Sequence, residues 1–80
     1  MKGTNEVMVD AGYLPAAMVA AAIGKALSTV HRMVQSGKLR FVRDGTALYI
    51  ETQSLNDYYK GNIPMLVAIS RARTELTRVA

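Results

Sequence analysis

The 80-residue chain contains one histidine, His31, and no cysteine. Ser28, His31 and Asp44 are the residue types of a hydrolytic triad, but no nucleophile motif surrounds Ser28 and such residues occur in most chains. A lone imidazole among scattered carboxylates makes no metal-ligand spacing, and no glycine-rich phosphate loop is present. Catalysis, a metal and a cofactor are therefore not expected. Without cysteine, disulfide frameworks, thiol catalysis and cysteine-held zinc or iron–sulfur clusters are excluded.

The chemistry that the sequence does concentrate is positive charge. Ten Lys and Arg against six Asp and Glu give a net charge of +4 and a pI near 9.8. Lys25, Arg32, Lys38, Arg40 and Arg43 follow one another with no acidic residue between them. Every acid lies outside that window, at Glu6, Asp10, Asp44, Glu51, Asp57 and Glu75. A window of one sign is the electrostatic footprint of a surface that meets phosphates, or of a solvated basic face. Which of the two it is depends on the elements that carry it.

Residues 1–12 are polar with no sustained period and read as a loose arm. Pro15 suits the first turn of a helix through Ile23, with Gly24 as its C-terminal cap residue. A second helix fits Leu27 to Ser36, where Val30, Met33 and Val34 form an apolar stripe, and Gly37 closes it. The period then changes. Residues 39–43 and 46–50 are rich in β-formers and flank Asp44-Gly45, a strong hairpin signal. Thr52 is placed to cap a short third helix through about Tyr59, and Asn62 to cap a last one with Pro64 in its first turn. The chain is thus expected to be mainly α with a small β-hairpin wing. It divides into an arm (1–12), a winged helix-turn-helix domain (13–61) and a C-terminal helix (62–80).

The residues from Tyr13 to Tyr59 resemble the small excisionase-type winged helix-turn-helix domains, relatives of the DNA-binding module of MerR-type regulators. The likeness rests on Tyr13-Leu14, Ala20, Ile23-Gly24, the run Ser28 to Val34, Gly37-Lys38-Leu39, Val42-Arg43, Gly45, Ile50, Leu55 and Tyr58. The resemblance implies that the second helix enters the major groove of double-stranded DNA while the wing meets the backbone or minor groove. Carried over, Ser28, Thr29, His31, Arg32 and Gln35 face the DNA, and Lys38, Arg40 and Arg43 bracket the wing as phosphate contacts. Arg32 suits guanine or a phosphate, and Gln35 suits adenine. His31 is equally consistent with an ordinary surface residue. The sequence departs from the family pattern at Pro15, Met18, Ala26 and Leu27, and Asp44 at the wing tip opposes deep insertion among phosphates.

In the last helix Met65, Ile69, Ala72, Leu76 and Val79 recur as a heptad seam. It serves either to fold back over the domain or to join a second copy. The Ala-rich first helix carries no charge, so Ala17, Met18 and Ala21 are either packing residues or a contact patch. The function expected is sequence-specific double-stranded DNA binding without catalysis, as a phage or mobile-element excisionase that assists an integrase, as a small transcriptional regulator, or as both. Two alternatives are a viral inhibitor or adaptor that meets a protein through this scaffold, and the DNA-recognition part of a packaging-terminase small subunit. The longest apolar run, Tyr13 to Ile23, falls short of the roughly 20 residues that span a bilayer. Glu6 and Asp10 are unlike a basic leader, so a cytoplasmic protein is expected, in the bacterial host cell or nucleoid-associated.

Overall fold

The computed structural model describes residues 4–78. Five helices and three strands run in the order α1 (Thr4–Asp10), β1 (Tyr13–Pro15), α2 (Ala16–Ile23), α3 (Leu27–Gln35), β2 (Phe41–Asp44), β3 (Ala47–Glu51), α4 (Thr52–Tyr58) and α5 (Ile63–Arg78). The protein is mainly helical, with one small antiparallel sheet and a long C-terminal helix. No helix among the described residues is long and apolar enough to cross a membrane.

The sheet has the order β1-β3-β2. Leu14 opposes Ile50 on one side of β3 and Phe41 opposes Ile50 on the other. Side chains alternate across a strand, so Leu14, Leu48 and Ile50 share the inner face, and all three are buried. The hairpin forms where the β-formers imply it, but its turn lies one residue later than Asp44-Gly45. Asp44 pairs with Ala47, leaving Gly45 and Thr46 as the central residues. Gly45 alone has a positive φ, 63°, which is the requirement of a turn with glycine at its first central position.

Helices α2 and α3 are joined by a short turn in which Gly24 adopts φ 68° and its N–H reaches back to the carbonyls of Ala20 and Ala21. That left-handed cap stops α2 and redirects the chain. Val19, Ala20 and Ile23 of α2 then meet Val30, Met33 and Val34 of α3 in the core. Pro15 is not a helical residue. It ends β1 and precedes α2 with an extended ψ of 140°, a place where its missing N–H costs nothing.

Two further expectations are revised. The stretch expected to be a loose arm contains α1, whose Val9 is 1% exposed and belongs to the core. This helix packs against α5 and β1, and packing sustains a helix too short to hold alone. Thr52 is the first residue of α4, which Glu51 precedes as cap without a side-chain hydrogen bond. Ser54 does the local work: its Oγ donates to the Glu51 carbonyl at 2.8 Å and accepts the Arg40 N–H at 3.0 Å. Asn62 does cap α5, its Oδ1 accepting the Met65 N–H at 3.2 Å.

Helix α5 lies across α1 and α2. Ile69 and Ala72 are buried, and Met65 and Leu76 pack against the same core. Within one chain the apolar seam therefore folds back over the domain; Val79 lies outside the described residues. On α2, Ala17 and Ala21 stay exposed while Ala16, Val19, Ala20 and Ile23 turn inward.

Candidate nucleic-acid interface

Successive residues on an α-helix are about 100° apart. Because Val30, Met33 and Val34 are buried, the opposite ridge of α3 is Ser28, Arg32 and Gln35, and all three are exposed. Thr29 and His31 are half-buried on the two flanks of that ridge. The helix offers a cation, an amide and hydroxyls along one face of two and a half turns. No hydrogen bond or ion pair within the described residues engages the side chains of Ser28, Arg32 or Gln35.

The two flanks differ. On one, Lys25, Arg32 and Lys38 surround a groove of about 360 Å³ together with Thr29, Ser36, Tyr58 and Tyr59. Three cations from three successive segments thus converge on one concavity. Gly24 and the turn after α3 make this possible by returning Lys25 and Lys38 to the sides of the helix. Tyr58 meets Tyr59 edge-on with ring centroids 4.8 Å apart. Burial, and then the neighbouring Tyr58 hydroxyl, push the Tyr59 phenol above its ordinary value.

On the other flank Leu27 and His31 line a groove of about 270 Å³ closed by Thr46 and Ala47 of the hairpin. Leu27 is 44% exposed. The hairpin projects past the core, so all four residues of β2 are exposed. Phe41 and Arg43 point to the same side of this edge strand, with the guanidinium 5.9 Å from the ring centroid. Such stacking holds Arg43 over an apolar ring with its donors outward.

Arg40 is placed differently from the other cations. Its Nε donates to Glu51 Oε1 at 2.9 Å, an ion pair between partly exposed groups. Of the eight residues expected to face DNA, Thr29, Arg32 and Lys38 line one groove, His31 lines the other, Ser28, Gln35 and Arg43 are exposed, and Arg40 is paired with Glu51. Lys25, Tyr58 and Tyr59 line the first groove and Phe41 holds Arg43, but none was among the eight expected contacts, although Lys25 stands in the basic window and Tyr58 in the family likeness. The spacing of two between Phe41 and Arg43 on a strand was the available signal for that pair. Among the described residues, no group of three histidine or carboxylate side chains could hold a metal. Ser28 and Asp44 lie at the start of α3 and in the far end of β2, and His31 lines the groove by the hairpin without either of them.

Compared with protein-family models, with curated proteins and with solved structures, the chain matches none.

Proposed function

We propose that the protein is a sequence-specific double-stranded DNA-binding protein of winged helix-turn-helix build, without catalytic activity. In this reading α2 and α3 are the helix pair, α3 lies in the major groove, and the β2–β3 hairpin is the wing. The observation that carries it is the convergence of Lys25, Arg32 and Lys38 beside an exposed polar ridge of α3. Cations placed around a helix of groove-filling width satisfy both needs of such a complex: phosphates fix the register, and Arg32 and Gln35 reach base edges. Ser28 and Thr29 supply hydroxyls for phosphates near the helix start. The resemblance of residues 13–59 supports an excisionase role, in which the protein binds beside an integrase as a cooperative multimer, or a regulatory role on the same DNA surface.

Binding of labelled random duplex across a salt titration tests the class. A dissociation constant near 10⁻⁴–10⁻⁶ M that weakens steeply with salt is expected. Absence of binding at low salt would overturn the proposal. Arg32→Ala should cost about 1–3 kcal/mol on a selected site if Arg32 reads a base, and an equal loss on random DNA would make it a phosphate contact. A second reading, a protein-binding adaptor, draws on the exposure of Leu27, Phe41 and Val42; it requires the apolar flank, not the cationic one, to be the surface that mutation disables.

A further inference from the structure

Away from α3 and β2, Thr52 is 8% exposed, and its Oγ1 has no hydrogen-bond partner among the described residues. Its backbone is satisfied, the N–H donating to the Gly12 carbonyl at 2.8 Å, so only the hydroxyl is orphaned. Buried hydroxyls are nearly always paired, to protein or to something bound. Two hollows, of about 440 and 330 Å³, meet at a wall that Thr52, Asn56 and Arg73 share. Lys60 and Ser70 line the second. The only carboxylate lining either is Glu51, which Arg40 neutralises at 2.9 Å.

We propose that these hollows form a binding site for a small oxyanion, a phosphate or carboxylate group, held by Arg73 with Asn56, the enclosed Thr52 hydroxyl turning to donate to it when it binds. A guanidinium presents two parallel donors to such a group, and the amide and hydroxyl add neutral donors from the facing helix. Helix α4 rests on β3 while α5 rests on α1 and α2. An anion gripped from both helices adds a polar tie between two elements that already share one core through Leu55 and Ile69. The proposal does not depend on DNA binding.

Thermal unfolding with sodium phosphate, sodium acetate or sodium chloride at matched ionic strength tests it. A saturable rise in midpoint with phosphate or acetate beyond chloride is expected, and which of the two anions acts identifies the chemistry of the natural ligand. Arg73→Gln should weaken the effect about ten- to a hundredfold, as loss of a charge-assisted hydrogen bond requires. Arg32→Ala should leave it intact. Amide shifts of Thr52 and Asn56 on phosphate addition give a readout independent of the variants. Midpoints that follow ionic strength alone, an undiminished effect in Arg73→Gln, or its loss in Arg32→Ala would each overturn the site.

Discussion

Glu51→Gln is the substitution that most sharply separates a phosphate-binding surface from a merely basic one, because removing this acid should release a cation already in place. In the folded chain Arg40 and Glu51 are 2.9 Å apart, with side chains 70% and 26% exposed. A pair so exposed holds itself together by no more than about 1 kcal/mol. The cations left for DNA are then Lys25, Arg32, Lys38 and Arg43. If all four meet phosphates, the logarithm of the binding constant falls with the logarithm of salt at a slope of about −3.6, four times −0.9. Between roughly 50 and 200 mM salt that amounts to about a 150-fold loss of affinity. With Arg40 freed, the slope becomes about −4.5 and the loss about 500-fold. The side chain of Glu51 makes no cap bond to α4, so the exchange alters only its charged contact with Arg40. Fluorescence anisotropy with a random duplex reads both slopes. Tighter binding with an unchanged slope would show that Arg40 reaches no phosphate and that only the overall field had changed. Weaker binding would refute the placement of this edge of the sheet at the DNA.

Ile69→Ala should cost about 2–5 kcal/mol of stability, since Ile69 is 1% exposed in the core. Its unfolding midpoint should not depend on protein concentration; a concentration-dependent midpoint would return the α5 seam to a dimer. Ser54→Ala leaves the Arg40 N–H without its acceptor and removes one of the donors to the Glu51 carbonyl, which keeps its place at the head of α4, an expected loss of about 1–3 kcal/mol. A change within a few tenths would mean that water replaces the hydroxyl. Tyr59, whose ionisation burial opposes, contributes stability present below about pH 10, its unfolded value, and lost as pH rises through the higher folded one. Tyr59→Phe should remove that component of the alkaline decline, and an identical pH profile would locate it elsewhere.

Sequence patterns were most informative where an element is long or punctuated. The stripe Val30, Met33 and Val34 places α3, glycines mark the ends of α2 and α3, and Asn62 with Pro64 opens α5. What stayed hidden is what tertiary contact creates. Among the residues of α1 whose side chains are described, Val9 alone is buried, too little for a periodic signal. Strand β1 is three residues long, shorter than any alternation, and exists because β3 offers it an edge. The basic window was visible as an uninterrupted run of one sign from Lys25 to Arg43. The neutralisation of Arg40 was not, because Glu51 approaches it only once β3 has registered against β2. Nothing local marked the turn's shift by one residue either, since register is set by the whole hairpin.

The placement of β3 between β1 and β2 has a kinetic consequence. Tyr13 must find Glu51 across about forty residues of chain, and closures of that span are slow beside local helix formation. Helices α2 and α3 can coil early, but the angle between α3 and the hairpin is fixed only when β1 has zipped onto β3 and α5 has covered α1 and α2. The surface proposed to meet DNA is thus the last feature to mature. During synthesis that surface takes its final shape only after α5 has left the ribosome to cover α1 and α2, so a chain cut before α5 is expected to lose it as a unit and not one contact at a time.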